Sequence, residues 1–292
     1  MRLVPTSGDD RVLPYTRVLS LVIIPFLVGA WVILYLFPDD TKRLFAWTIR
    51  PTMTPMVLAS AYLGGAYFFV RVLWERHWHV IKTGFVSVTV FASLLGVATA
   101  LHWDRFNHRH VTFWIWVVLY FTTPLLVFGG WLANRRHAAP ANANEPRLAP
   151  VARIVIGVIG ILALAQGMVM FAAPAFVLPY WPWLLTPLTC RVLGAIFCLG
   201  VAGTAVLVDS RWSSVKLMVQ VAMGMITLIL VAAIRARGEF DSRMPLTWLL
   251  LAGFVAVLAG AAYLSYAMGN RARTSGGRLA ADPRGTRETL PR

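Results

Sequence analysis

The feature that most constrains this chain is a series of long apolar runs, each close to membrane thickness and each bounded by charged or turn-forming residues. About 20 apolar residues, at roughly 1.5 Å rise each, cross a hydrocarbon core of about 30 Å. Spans are predicted at 17–37, 52–73, 80–102, 111–133, 151–176, 187–208, 213–234 and 246–268. Composition excludes a water-solvated fold: 58% of the residues are hydrophobic and only 13% are charged, where a soluble domain carries about 25% charged residues. The first run is too long for a signal-peptide core and shows no small-residue cleavage site, so it reads as a retained helix. The expected class is an all-α integral membrane protein of eight transmembrane helices.

The runs fall into two groups of four. The stretch from Ala138 to Pro146 is polar and rich in Pro, Ala and Asn, which reads as a linker. Across it, Pro14, Arg17, Pro38, Trp47 and Pro51 recur at one constant spacing as Pro150, Arg153, Pro174, Trp183 and Pro187. The spacing then slips by one, setting Thr54 against Thr189 and Arg76 against Arg211, and slips again to set Trp116 against Trp248. Loop lengths drift while helices are retained. The expected organisation is a first four-helix repeat over 14–133, a polar linker over 134–149, a second repeat over 150–269 and a basic disordered tail over 270–292. Four helices per half is an even number, so both halves enter from the same side. The repeats are then parallel, related by a pseudo-two-fold axis along the membrane normal.

The net charge is +15. The charges lie between the apolar runs and in the tail, so the bilayer and its anionic head groups are the expected partners, and nucleic acid is not. Lys and Arg concentrate in the N-terminal segment, the 2–3, 4–5 and 6–7 connections and the tail, which predicts both termini cytoplasmic. Tyr180, Trp181 and Trp183 in the 5–6 connection suit an aromatic belt at the outer interface. Rows of small residues, Ala92, Gly96 and Ala100 on the third span and Ala252, Ala256 and Gly260 on the eighth, are expected at helix contacts. Pro124 should kink the fourth span.

Ionisable groups deep in a bilayer point to function because each costs at least ~2.5–3.5 kcal/mol on insertion scales. No Asp or Glu lies within a predicted span, which removes an acidic proton or sodium relay and a paired-aspartate protease. There is no P-loop, dinucleotide fingerprint or G-x-S-x-G, and no connection is long enough for a soluble catalytic domain. Cys190 and Cys198 lie about 12 Å apart along one helix, beyond the roughly 7 Å a disulfide spans. The sequence implies no cofactor.

Four residues, Arg191, Trp183, Gln166 and Gln220, stand as ligand-binding candidates. Arg191, a turn inside the sixth span after Trp183, would hold a phosphate or carboxylate; the blander reading is a snorkelling side chain. Gln166 and Gln220 would line a polar cavity between the halves, although interhelical hydrogen bonding is the commoner role. His102, Asp104, His108 and His110 share the 3–4 connection and have donor types that suit zinc, but they lack the helical spacing of a zincin, so an interfacial polar loop is the better reading. These residues lead to a non-enzymatic binder or carrier of a small molecule or lipid. The alternatives are a structural or assembly subunit of a membrane complex and, behind it, a membrane enzyme.

The helix-start pattern Trp47-Thr-Ile-Arg-Pro51 with Thr54, echoed by Trp183-Leu-Leu-Thr-Pro187 with Thr189, resembles uncharacterised multi-pass inner-membrane proteins of high-GC bacteria. The resemblance implies a bacterial inner membrane and transfers no functional residue.

Overall fold

The computed structural model describes residues 9–137 and 145–280, with side chains to 270. Eight helices among the described residues are long and apolar enough to cross a membrane, and the chain is a multi-pass membrane protein. We label them α1 (Pro14–Leu36), α2 (Met53–Trp74), α3 (Trp78–Leu101), α4 (Val111–Arg135), α5 (Pro150–Ala172), α6 (Pro187–Ala205), α7 (Trp212–Arg235) and α8 (Pro245–Ala280). Residues 138–144 of the predicted linker lie outside the described residues, as does the tail beyond Ala280. The expected tail begins differently from its prediction: α8 continues through 271–280, because no proline interrupts it before Pro283.

Proline opens α1, α5 and α6 at the first turn, where its missing N–H removes no helical hydrogen bond. Thr186 caps α6 in a reciprocal box with Thr189. The centre of the bundle is built by α2 and α3 from the first half and by α6 and α7 from the second; α1 packs along α2, α4 along α3, α5 along α6 and α8 along α7. Enclosure follows this order. The most apolar stretch of α2 is 67% buried, and that of α8 only 6%.

Close helix approach depends on glycine, but not everywhere the small-residue rows predict. A Cβ on Gly96 would stand 2.8 Å from the Tyr120 carbonyl oxygen. Pro124 explains why that carbonyl is there: it has no N–H to give the oxygen four residues before it, so the Tyr120 carbonyl faces the α3 backbone instead. Gly167 of α5 meets Gly194 of α6 equally closely, its Cβ falling 2.6 Å from the Gly194 oxygen. The row Ala252, Ala256 and Gly260 on α8 is exposed, with open space around Gly260. Residue spacing marks a smooth helix face without saying which neighbour covers it.

The two halves make the same hydrogen bonds at both ends of the bundle. At the face carrying the chain start, the terminal face, Val12 donates to the Arg76 carbonyl (3.2 Å) and Trp78 to that of Asp10 (2.8 Å). Correspondingly, Leu148 donates to Ser210 (2.9 Å) and Trp212 to Pro146 (2.9 Å). At the distal face, Asn107 donates to Ala46 (2.8 Å) and Asp241 to Pro182 (2.8 Å). Trp114 Nε1 donates to the His108 carbonyl (3.1 Å) and Trp248 Nε1 to that of Ser242 (3.0 Å). This register sets Trp248 opposite Trp114, where the sequence comparison set it opposite Trp116, and bridges place Arg211 opposite His77 in place of Arg76. The chance identities lay a residue or two from the positions that backbone pairing selects.

Candidate functional site

Polar side chains tie the helices most densely at the two faces, and the charged ties lie there. At the distal face, Glu239 of the second half accepts from the Thr52 backbone N–H (2.8 Å), the Thr52 hydroxyl (2.6 Å) and the Met53 N–H (2.8 Å), capping α2 from across the bundle. Trp183 Nε1 donates to Thr54 Oγ1 (2.9 Å), and Arg235 donates to the Tyr35 carbonyl (2.8 Å). Trp181 and Trp183 are each only 4% exposed and pack against one another, so they are core residues; of the expected belt, Tyr180 alone reaches the surface, at 69%. Hydropathy does not separate an aromatic at the interface from one beneath it.

Arg191 belongs to the same set of ties. Its Nε donates to the Phe171 carbonyl (3.1 Å), and its Nη1 lies 2.6 Å from His102 Nε2. Guanidinium only donates, so Nε2 of His102 is the acceptor and the ring carries its proton on Nδ1. Burial, and then the Arg191 charge, push the His102 pKa down. The pair joins α6 of the second half to the end of α3 of the first, and Arg191 is half-buried rather than open to an anionic ligand. His102 is thereby drawn away from the other zinc candidates. His108 Nε2 faces the Trp103 carbonyl (2.9 Å), His110 Nδ1 meets Thr112 Oγ1 (2.6 Å) at the start of α4, and Asp104 pairs with Arg105 (3.3 Å). Among the described residues no three His, Cys, Asp or Glu side chains converge as a metal site.

At the terminal face Asp209 sits between Lys82 Nζ (2.7 Å) and the Arg211 guanidinium, whose Nε and Nη2 reach its two oxygens at 2.9 and 2.8 Å. Burial alone would raise the Asp209 pKa; the hydrogen bonds from Arg211 and Lys82 outweigh it and hold the carboxyl well below the usual range. Asp10, His79 and Ser213 stand in line beside this cluster, with His79 Nδ1 on Asp10 and Nε2 3.2 Å from Ser213 Oγ. The order is that of a nucleophilic triad, but Ser213 gives its proton to Glu145 Oε1 (2.7 Å), so the histidine is not its base. The cluster fastens the segments preceding α1 and α5 to the starts of α3 and α7.

Between these two layers lies a cavity of about 160 Å³, walled by α1 to α4 of the first half and by α6 and α7 of the second. Its lining is almost wholly apolar and includes Phe26, Phe69, Phe91 and Met225. Its polar groups include a pair of tyrosines, Tyr62 and Tyr120, 2% and 9% exposed, whose hydroxyl oxygens are 2.8 Å apart. Two hydroxyls joined by one hydrogen bond use one proton between them. Tyr120 donates to Tyr62, and the Tyr62 proton has no protein acceptor among the described residues. Ser87, also on the wall, is satisfied by the Thr83 carbonyl (3.1 Å), and Thr123 sits half-buried at the rim. In the register fixed by Trp114 and Trp248, and by Val57-Leu58 against Val192-Leu193, the matched positions of the second half hold Phe197 and Phe254.

None of the four sequence candidates lines this cavity. Gln166 is exposed on the outer face of α5, so the polar cavity expected there is not formed. Gln220 accepts from the Tyr67 hydroxyl (3.1 Å) and bridges α7 to α2, the interhelical role. The missed residues had a signal: tyrosine is normally enriched at membrane interfaces, whereas Tyr62 and Tyr120 fall near the middle of their spans. No family model, no curated protein and no solved structure matches the chain.

Proposed function

We propose that the protein is a non-enzymatic binder or carrier of a neutral, membrane-soluble small molecule or lipid, held in the midplane cavity between its halves. The observation that carries this reading is the spare Tyr62–Tyr120 proton inside an otherwise apolar cavity. A buried donor without an acceptor costs about 1–3 kcal/mol, and a ligand oxygen is the group that would satisfy it. Charged ligands are disfavoured, because no cationic or acidic side chain lines the cavity. In this reading the halves are parallel four-helix repeats about an axis along the membrane normal, supported by their matched hydrogen bonds at both faces. The terminal face, where Lys and Arg concentrate, is cytoplasmic, and the resemblance noted above favours a bacterial inner membrane.

Native mass spectrometry of protein extracted in mild detergent tests the reading. A discrete adduct that survives delipidation and is lost from the Tyr62→Phe/Tyr120→Phe variant, at an unchanged melting temperature, is the expected result. A bare mass for both proteins would overturn it.

A second reading, a subunit of a membrane complex, is favoured by α8 alone: its apolar face is almost uncovered, and the Ala252–Ala256–Gly260 row lies open. Under it, Gly260→Cys should crosslink to a stoichiometric second chain in native membranes. The two readings are compatible, since α8 contributes no residue to the cavity lining.

A further inference from the structure

The cavity has an apolar neighbour at the lipid-facing surface. On the lipid-facing side of the bundle a groove runs between α1 and α4, lined by Phe26, Val111, Trp114, Ile115, Val118 and Leu119. Phe26 and Leu119 line the inner cavity as well, so these two side chains stand between the groove and the cavity. The groove has no charged lining residue, and the indole N–H of Trp114 is taken by the His108 carbonyl.

Three properties fix what fits. The inner cavity, at about 160 Å³, matches the roughly 150 Å³ apolar cavity that admits a benzene-sized ring. The spare proton of its tyrosine pair calls for a neutral oxygen acceptor on that ring. The groove calls for an unbranched or methyl-branched apolar chain leaving the ring toward lipid. Tyr62 and Phe91 already meet edge to face, 6.5 Å between centroids, and such aromatic walls favour a flat ring over a flexible chain end.

Resting on the cavity reading above, we propose that the ligand is a quinone-type lipid: a single carbonyl-bearing ring seated at Tyr62 and Tyr120, with its prenyl or alkyl tail lying in the α1–α4 groove. One ring carbonyl accepts the spare tyrosine proton. The tail exchanges one apolar surrounding for another, so it contributes direction more than affinity. The ring reaches the site sideways from the bilayer, past Phe26 and Leu119.

The test uses the full chain in lipid nanodiscs with a benzoquinone whose decyl tail ends in a diazirine. Irradiation is expected to label α1 and α4 at groove residues. Excess tail-free benzoquinone should suppress this labelling, and equal farnesol should not. Tyr62→Phe/Tyr120→Phe should lower it at least about threefold, the size of one modest hydrogen bond. Val118→Trp, on the lipid-facing surface, should displace the label from the groove while leaving the melting temperature unchanged. Groove labelling that farnesol suppresses as well as the ring does, and that the tyrosine variant keeps, would overturn the quinone head and leave a chain-binding cavity. Labelling scattered over α5 and α8 would overturn the groove. No protein-dependent labelling of any kind would overturn both the quinone and the cavity reading.

Discussion

The charged and hydroxyl groups of the distal face are paired where the midplane cavity leaves one hydroxyl proton over, although the buried Trp47 and Trp181 indole N–H groups of the distal layer also have no partner among the described residues. At the distal face Glu239 uses both carboxylate oxygens on three donors, Trp183 is paired with Thr54, and Arg191 is paired with His102 and Phe171. In the cavity one hydroxyl proton is left over. A saturated group stabilises the fold and has little left for a ligand; an unsaturated one contributes little to the fold and is available. The richest collection of polar residues is therefore structural, and the sparsest is the candidate site.

This contrast can be broken by substitution. Glu239→Ala removes three hydrogen bonds to a charged acceptor and leaves the start of α2 uncapped. The expected loss is about 3 kcal/mol or more, read as a fall in thermal midpoint in detergent, with ligand affinity per folded molecule preserved. Arg191→Ala should cost about 1–3 kcal/mol by freeing the Phe171 carbonyl and His102. If that variant instead lost ligand at full stability, the assignment of Arg191 to the scaffold would fail. Tyr62→Phe/Tyr120→Phe sharpens the contrast from the other side, with stability within about 1 kcal/mol of the parent and ligand retention lost. Gln166→Leu, on the exposed face of α5, should change neither quantity beyond about 0.5 kcal/mol.

Proton linkage provides a further test, confined to the ends. His102 has a depressed folded pKa, so the unfolded chain binds the extra proton first. Its stabilising contribution is present above the unfolded value of about 6.5 and is lost as pH falls below it. Thermal midpoints recorded from pH 7.5 to 5 should decline, and His102→Gln should flatten that decline. Asp209, also depressed, contributes in full above its unfolded value of about 4 and loses that contribution progressively below it, so its loss follows at lower pH.

Much of the architecture was legible in the sequence because the bilayer imposes it. Span length, even helix count and proline-marked helix starts each have a direct physical cause, and the structure places all eight spans within a few residues of their predicted ends. Partner choice was not legible. Ala92, Gly96 and Ala100 look the same in sequence as Ala252, Ala256 and Gly260, yet Gly96 meets the Tyr120 carbonyl and Gly260 meets nothing. The cavity was hidden for a related reason. Its walls are ordinary span residues from six helices, and a void is set by what they fail to fill. Arg191 and Gln166 drew notice as polar residues inside apolar runs, whereas Tyr62 and Tyr120, half apolar themselves, blended in.

The replacement of Tyr62 and Tyr120 by Phe197 and Phe254 at matched positions has a numerical consequence. A chain made of two alike halves would ordinarily offer two equivalent seats. Under the cavity reading only the seat that carries the two hydroxyls would hold ligand, so a titration should saturate at one molecule per chain. Reinstating hydroxyls at Phe197 and Phe254 asks whether the second half retains the shape of a seat after losing its chemistry.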